Sequence, residues 1–336
     1  MKTLILDEPF NLSLADTPFP AAPQAGEALV KVHKVGICGS DLHAFKGEQN
    51  FFEYPRILGH ELAVEIVQLG SPLAELSVGD ICAVNPYLND GTCIACRRGK
   101  TNCCQNMRVL GVHQDGGMRE HFLVPATHLY KADLSVDELA QVEMLAVGAH
   151  AVRRARLDKQ ENVLVIGAGP IGLGTAAFAR LEAKKVAMLD VSETRLEFVR
   201  QLGLAEAINT RTDVISELKE RFSGDLPTTV FDATGSAGSM VNAVTYCAHG
   251  GQLILVGHTK NELPFHNPSI HARELSLHCS RNATEEDFKR VITTLEQKQI
   301  DVEAWITHRA SPEELVKNFA SWTKPETGVL KGLLEF

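Results

Sequence analysis

The hydrophobic positions follow two different patterns along the chain. Up to about residue 140, short apolar runs at residues 3–6, 28–32 and 81–84 are separated by proline, glycine and charged residues. Such runs are typical of strands joined by loops. From Asn162 onward, apolar runs alternate with longer segments of helical character, the order expected of a parallel sheet covered by helices. The pattern predicts an α/β chain in which a β-rich part precedes a doubly wound parallel sheet.

The remaining predicted elements divide the chain into two domains. Further strands are predicted at residues 62–69, 119–124, 163–166, 186–190, 230–235, 253–257 and 275–279. Helices are predicted at residues 141–154, from after Gly172 to about residue 181, and at 285–298. We expect the tail, which returns to strand and helix character, to fold back onto the β-rich part. The predicted domains are residues 1–149 with 286–336, and residues 150–285.

Composition and charge argue against several classes of partner. The 336 residues are 44% hydrophobic and 22% charged, and the formal net charge is -9. A chain this acidic is not expected to bind nucleic-acid phosphates or an anionic membrane. The uncharged run at residues 163–179 approaches membrane-spanning length, but its glycines and proline favour a strand, a turn and a helix.

Cysteine usage indicates metal binding in a reducing compartment. Four of the eight cysteines lie between residues 93 and 104, a spacing typical of metal sites and not of a disulfide framework. The N-terminus reaches acidic residues too early for a secretory signal peptide. We therefore expect a cytoplasmic location.

A first candidate metal site lies between residues 38 and 61. Cys38 supplies a thiol, and His60 and Glu61 supply an imidazole and a carboxylate. Zinc binds this mixture of ligands, and a catalytic zinc keeps one position open. Ser40 and His43 are residue types that can carry a proton away from a molecule bound there. A buried free cysteine with unrelated histidines would explain single residues, whereas the combination favours zinc.

A second candidate metal site has the spacing D-x2-C-x2-C-x7-C. Its residues are Asp90, Cys93, Cys96 and Cys104. Four thiolates in such loops make a closed structural zinc site, and a carboxylate in the first position is a harder ligand that predicts a weaker site. The alternative is a lobe whose thiols stay free. Cys103 is expected to be a bystander.

Residues 167–172, Gly-Ala-Gly-Pro-Ile-Gly, match the dinucleotide-binding fingerprint between a predicted strand and a predicted helix. Gly167 permits the tight turn, Gly169 lets the backbone approach a pyrophosphate, and Gly172 lets helix and strand pack closely. The other loop residues expected at the cofactor are Pro170 and Ile171.

Three later residues extend the predicted cofactor site. Asp190 ends the next predicted strand, where it would bind the adenosine ribose and repel a 2′-phosphate, which favours NAD over NADP. Arg195 follows closely and either packs on the adenine side or is solvated. Val256 ends a later strand, where its backbone would lie near the nicotinamide.

An open zinc position and a nicotinamide cofactor together predict hydride transfer with an alcohol, whose pKa zinc lowers as a Lewis acid. Glu143 begins the predicted helix 141–154 and is placed to reach back toward a metal. A carboxylate there also stabilises a helix N-terminus. The residues alone leave these two roles of Glu143 open.

With these motifs in place, the chain resembles zinc-dependent medium-chain alcohol dehydrogenases over essentially its whole length. The resemblance rests on residues 38–43, 59–61, 90–104, 143 and 167–172. It implies a GroES-like catalytic domain, a Rossmann domain and a homodimer or homotetramer. For the polyol and sugar-acid branch, it implies that Cys38, His60 and Glu143 hold the catalytic zinc, with Glu61 as an alternative ligand or as a carboxylate next to the ligands.

Three residues depart from the family pattern. Asp90 replaces the usual first cysteine of the structural lobe, which puts that zinc in doubt. Val64 replaces a glycine that is common after Gly-His-Glu. Met144 replaces the proline that usually follows the carboxylate matching Glu143, a change that could loosen that carboxylate.

Within the family, residues 111–117, 150–155 and 280–284 resemble the sorbitol, L-idonate and L-galactonate 5-dehydrogenase branch. The resemblance implies a substrate with a secondary alcohol on a sugar acid of the L-galactonate or L-idonate type. Arg119 and Arg281 are candidates for its carboxylate, although either could be an ordinary surface arginine.

Other functions remain open at this point. The substrate could be a polyol such as sorbitol or galactitol, threonine, or a simple alcohol. The fold also occurs without zinc in quinone and enoyl reductases, against which Cys38, His60 and Glu143 argue. A non-enzymatic dinucleotide-binding protein is the last alternative, and it gives Ser40 and His43 no purpose beyond packing.

Overall fold

The computed structural model describes residues 1–49 and 52–336. These residues form two compact units. The first consists of Met1–Met144 and Ala283–Phe336, and the second of Leu145–Asn282.

The first unit is built mainly of strands. Its strands are β1 (Lys2–Glu8), β2 (Asn11–Asp16), β3 (Glu27–Ile37), β4 (Glu61–Leu69), β5 (Ile81–Val84), β6 (Tyr87–Leu88), β7 (Arg108–Val109), β8 (His121–Pro125) and β9 (Leu129–Lys131). Its helices up to the domain boundary are α1 (Gly39–Phe45), α2 (Ile94–Arg97), α3 (Val136–Leu139) and the start of α4 (Val142–Ala155).

The second unit alternates strands with helices. Its strands are β10 (Asn162–Ile166), β11 (Lys185–Asp190), β12 (Glu206–Asn209), β13 (Thr229–Asp232), β14 (Gln252–Leu255) and β15 (Ser276–Cys279). Its helices after α4 are α5 (Pro170–Glu182), α6 (Glu193–Gln201), α7 (Val214–Arg221), α8 (Ala237–Asn242) and α9 (Asn267–His271).

The C-terminal segment returns to the first unit, as the pattern of the tail predicts. It contains α10 (Glu285–Glu296), β16 (Ile306–Ala310), α11 (Pro312–Trp322) and β17 (Lys331–Glu335). β17 pairs antiparallel with the end of β3, where Gly332 lies opposite Ile37. The last strand of the chain therefore lies beside the segment that leads into Cys38.

The long strand β3 is the centre of the seven-stranded sheet in the first unit. The sheet order is β16-β17-β3-β4-β5-β9, and β8 also pairs with β3. Apolar side chains of β3 and β4 pack in one core with Phe45, Phe122 and Phe319. Burying such side chains supplies the main stabilisation of the unit.

The sheet of the second unit has six parallel strands in the order β12-β11-β10-β13-β14-β15. The order reverses at β10, where β11 lies on one side and β13 on the other. Ligands of open parallel sheets bind beyond the carboxyl ends of the strands at such a reversal. The predicted α/β class, with a β-rich domain and a doubly wound parallel sheet, is confirmed.

Two predicted strand boundaries are wrong for local reasons. The strand predicted at residues 253–257 ends at Leu255, because the N–H groups of Val256 and Gly257 both donate to the Asp232 carbonyl and turn the chain. The strand predicted from Arg119 begins at His121, because the Arg119 N–H donates to the Gly117 carbonyl in a tight turn.

Within the described residues, no helix has the length and apolar character needed to cross a membrane.

Candidate metal and cofactor sites

Sheet pairing brings the first candidate metal ligands together. Cys38 lies at the start of α1, directly after β3, and Glu61 begins β4 opposite Gly36 of β3. One ligand atom from each of Cys38, His60 and Glu61 lies within 4.8 Å of the others. The Glu61 carboxylate fits here only because residue 36 is a glycine, since a Cβ at Gly36 would overlap Oε2 of Glu61. The sequence thus folds a thiol, an imidazole and a carboxylate into one cluster.

Asp41 organises this cluster and was not anticipated from the sequence. Its carboxylate is buried and accepts the Cys38 N–H at 2.9 Å, and Oδ1 lies 3.8 Å from Nδ1 of His60. Burial raises the pKa of Asp41, and the neighbouring His60 opposes that rise. Burial alone would lower the pKa of His60, but Asp41 and Cys38 raise it well above its usual value.

The donor set fits a zinc ion. The ligand atoms of Cys38 and Glu61 lie within 4.8 Å of a ring nitrogen of His60, so one ion can reach all three side chains. One thiolate, one imidazole and one carboxylate are also the ligand types that zinc takes when it keeps a position open.

Lys331 is a second unanticipated neighbour of the cluster. Its ammonium donates to Oε1 of Glu61 at 2.8 Å and to Oε2 at 2.6 Å. Both residues are fully buried, with exposed fractions of 1% for Lys331 and 0% for Glu61. Burial acts to lower the pKa of Lys331, but the charges of Glu61 and Cys38 raise it above its ordinary value.

Tyr87 is the third unanticipated neighbour. Its hydroxyl donates to Oε1 of Glu143, which lies in the first turn of α4. Both side chains are buried, and burial raises the pKa of each. Among the described residues, Glu143 lies outside the group of ligand atoms formed by Cys38, His60 and Glu61.

The two predicted proton carriers lie on α1 beside the cluster. Ser40 is half-buried, whereas His43 is exposed on the same helix. Nδ1 of His43 lies 3.0 Å from Oε2 of Glu48, so the imidazole has an acidic partner at the surface.

The second candidate metal site also assembles. Ligand atoms of Asp90, Cys93, Cys96 and Cys104 all lie within 4.8 Å of one another. Cys103 is exposed and outside this group. The side chains therefore converge as the spacing predicts, with a carboxylate in place of one thiolate.

Hydrogen bonds hold the Asp90 carboxylate in this group. Oδ1 accepts the N–H groups of Cys93 at 3.0 Å and Thr92 at 2.9 Å, and Oδ2 accepts the Asn106 amide at 2.6 Å. The Cys93 and Thr92 N–H groups, followed by the Asn106 amide, lower the pKa of Asp90. Burial and the neighbouring thiol of Cys93 raise the pKa of Cys96 to about 12.

The glycine loop has the geometry that a dinucleotide site requires. Gly167 has a left-handed φ of 100°, a conformation that suits glycine. A Cβ at Gly172 would overlap the carbonyl oxygen of Gly167, so only glycine lets α5 begin this close to β10. Pro170 is the first residue of α5, Ile171 follows it, and Gly169 is the residue before the helix. The N-terminus of α5 thus points its free N–H groups toward the loop, which suits a phosphate.

The predicted ribose-binding residue is tied to this loop. The Asp190 carboxylate is buried and accepts the Ala168 N–H at 2.6 Å and the Ser192 N–H at 2.7 Å. A guanidinium nitrogen of Arg195 lies 3.7 Å from the position of a Cβ at Gly169, so Arg195 reaches the loop. Val256 follows β14 and donates its N–H to the Asp232 carbonyl at 2.8 Å.

The two predicted substrate arginines lie in different surroundings. Arg119 is partly buried, its guanidinium lies 5.4 Å from the ring centre of Phe122, and it donates to the Asp115 carbonyl at 3.5 Å. Burial lowers the pKa of Arg119. Arg281 is exposed shortly after β15.

Only weak signals in the sequence could have found the three missed neighbours. Asp41 lies three residues after Cys38, within the segment already singled out. Lys331 is a cation that precedes the apolar Gly332-Leu333-Leu334 of a strand. Tyr87 carries no comparable signal.

Comparisons with known proteins match both units. Residues 24–134 match the alcohol dehydrogenase GroES-like domain, and residues 170–297 match the zinc-binding dehydrogenase family. L-galactonate-5-dehydrogenase of Escherichia coli K12 is 41% identical over 338 residues, covering 100% of this chain and 99% of that protein. L-idonate 5-dehydrogenase of Vitis vinifera is 33% identical, covering 83% of this chain and 80% of that protein.

A solved structure agrees over the full length. The short chain alcohol dehydrogenase rspB of Escherichia coli CFT073, complexed with NADH, matches with a TM-score of 0.93 and 31% identity, covering 100% of this chain and 99% of that one. The predicted enzyme class, an NAD-dependent zinc dehydrogenase, is confirmed. The chain belongs to the zinc-dependent medium-chain alcohol dehydrogenase family.

Proposed function

We propose that this protein transfers a hydride between NAD and a secondary alcohol of a sugar acid of the L-galactonate or L-idonate type. The observation that carries the proposal is the group of half-buried Cys38 with buried His60 and Glu61, in a chain that also contains a dinucleotide loop. Full-length similarity to L-galactonate-5-dehydrogenase supports the choice of substrate class.

Two metal sites belong to this proposal. Cys38 and His60 would hold a catalytic zinc together with a carboxylate from Glu61 or Glu143. The residues that would hold a structural zinc are Asp90, Cys93, Cys96 and Cys104. When bound, the catalytic zinc supplies a Lewis acid that lowers the pKa of an alcohol, and NAD supplies the hydride acceptor.

Each protein residue near the catalytic zinc has a separate task. Asp41 orients His60 and holds the Cys38 backbone, which fixes the ligand geometry. Ser40 and His43 pass the alcohol proton along α1 toward solvent, which the exposure of His43 supports. Glu61, beside the thiol and the imidazole, is a further catalytic carboxylate in this scheme.

The second domain supplies the cofactor contacts. We propose that the loop of Gly167, Gly169 and Gly172 binds the pyrophosphate and that Asp190 selects NAD through the ribose hydroxyls. The remaining cofactor contacts would be Pro170, Ile171, Arg195 and Val256. This assignment places metal chemistry in residues 1–149 with 286–336, and the cofactor in residues 150–285.

A cation must receive the carboxylate of a sugar acid, and Arg119 and Arg281 remain the candidates. A polyol is the second candidate substrate class, because sorbitol dehydrogenase of Bacillus subtilis is 32% identical over 83% of this chain. We also propose a cytoplasmic homodimer or homotetramer without a nucleic-acid or membrane partner.

NADH absorbance with NAD or NADP tests the function on L-galactonate, L-idonate, sorbitol, galactitol, threonine and ethanol. We expect turnover of a sugar acid with NAD, loss of turnover in Cys38→Ser, and normal turnover in the matched control Cys279→Ser, whose thiol is exposed. Activity on neutral polyols alone would remove the sugar-acid substrate and the role of Arg119 or Arg281. NAD binding by zinc-loaded protein without turnover of any alcohol would favour a non-enzymatic role.

A further inference from the structure

Two buried carboxylates lie near Cys38 and His60, and each has a different partner. Glu61 contacts the ammonium of Lys331 through both of its oxygens. Glu143 accepts a hydrogen bond from the neutral hydroxyl of Tyr87. These environments distinguish Glu143, which the family resemblance gives as a metal ligand, from Glu61, which it gives as the alternative.

The two carboxylates also differ in position. Glu61 belongs to the group of ligand atoms that lie within 4.8 Å of one another, and Glu143 does not. Glu143 nevertheless interacts electrostatically with both His60 and Glu61. A carboxylate at the edge of a metal site needs a restraint if it is not to become a ligand.

The Tyr87 side chain is itself rigidly held. It is buried, and its ring lies edge-on to Phe288 with ring centres 6.3 Å apart. Tyr87 begins the short strand β6, which pairs with β7 opposite Val109. The hydroxyl therefore has a fixed position from which to hold Glu143.

We propose that Tyr87 is the positioning residue that keeps Glu143 out of the metal's ligand set, whereas Glu61 already lies with Cys38 and His60. The inference rests on the zinc site of the proposed function. Cys38, His60, Glu61 and Glu143 together would be four protein ligands, and four protein ligands make a closed, structural type of zinc site. By retaining Glu143, Tyr87 leaves one coordination position for substrate.

Cobalt-substituted protein tests this inference without turnover, because cobalt absorption bands report the number and type of ligands. Imidazole added to wild-type protein should shift the bands, since it enters the open position. In Tyr87→Phe, we expect altered bands, no response to imidazole, and slower metal release to a chelator than from wild-type protein, because a fourth protein ligand closes the site. In Tyr87→Phe/Glu143→Gln, the response to imidazole should return.

A matched control is available in Tyr130→Phe. Tyr130 is also partly buried and stacks on Phe288 with ring centres 5.4 Å apart, but its hydroxyl interacts with Asn85 and not with Glu143. This variant should keep wild-type bands and the wild-type response to imidazole.

The outcomes separate the inference from the function on which it rests. Wild-type bands and a wild-type imidazole response in Tyr87→Phe would overturn the role of Tyr87. A Tyr87→Phe/Glu143→Gln variant that does not respond to imidazole would overturn it as well. The Cys38→Ser variant should lose the cobalt bound at this site. If it bound as much cobalt as wild-type protein, the zinc site itself would be refuted, and this inference with it.

Discussion

The Nζ atom of Lys331 lies 2.6 Å from Oε2 of Glu61, and both side chains are excluded from solvent. The pair joins β17 to β4, the strand that begins at the candidate ligand Glu61. Lys331 also lies 3.3 Å from the Ile37 carbonyl, one residue before Cys38. A buried charge pair of this kind is costly to break, because the partner left behind stays desolvated.

Lys331→Met should therefore lower the free energy of unfolding of the metal-free protein by about 3–5 kcal/mol. Urea unfolding measures the change. The matched control is Lys2→Met, since Lys2 pairs with Glu313 at the surface, with side chains 50% and 47% exposed. That change should cost far less, because solvent screens an exposed pair. Equal effects of the two substitutions would contradict the buried pair.

Gly36→Ala should disrupt the metal site through a steric effect. The new methyl group would overlap Oε2 of the Glu61 carboxylate. The carboxylate cannot easily move away, because Lys331 binds both of its oxygens. We expect a loss of about 1–3 kcal/mol in stability, together with reduced zinc content. Gly39→Ala is the control, because a Cβ there meets nothing within 4 Å. Elemental analysis and thermal melts distinguish the two variants.

Asp90→Cys should strengthen the second metal site. The substitution gives the group a fourth thiolate, a softer donor that zinc binds more tightly than a carboxylate. We expect zinc to leave this site more slowly when a chromogenic chelator is added. Cys103→Ser should leave the release rate unchanged, because Cys103 lies outside the group. Faster zinc release from Asp90→Cys would show that the hydrogen bonds of Asp90 matter more than its donor type.

His128 should make stability depend on pH. Burial lowers its pKa, and its Nδ1 donates to the Asn85 carbonyl at 2.9 Å. Below about pH 6.5, the ordinary value, the unfolded chain takes up a proton that the folded chain excludes. The free energy of unfolding therefore falls as the pH drops through that value, until the folded pKa is reached.

His128→Gln should remove this contribution. Between pH 7 and pH 5, the free energy of unfolding of His128→Gln should fall less steeply than that of wild-type protein. The difference between the two slopes should reach about 1 kcal/mol per pH unit. Urea unfolding at several pH values gives the slopes. Exposed His249 provides the control, and His249→Gln should keep the wild-type slope. Parallel slopes for His128→Gln and wild type would refute the prediction.

The sequence by itself determined the fold class and the chemistry-bearing motifs of this protein. Cys38, His60 and Glu61 lie within one short segment, as do the residues from Asp90 to Cys104 and the glycines from Gly167 to Gly172. Such groups are visible because their residue types and spacings match metal and dinucleotide motifs, even where sheet pairing completes the site. The alternation of strands and helices after Asn162 was visible for the same local reason.

Only the tertiary structure decided which side chains control those motifs. Lys331 is 270 residues away from Glu61 in the chain, and Tyr87 is 56 residues away from Glu143. Their contacts depend on the pairing of β17 with β3 and on the position of β6, which local hydrophobic patterns do not encode. The sequence offered both Glu61 and Glu143 as carboxylates for the metal, and folding brought a different partner to each. A buried carboxylate is governed by the charge and hydrogen bonds around it.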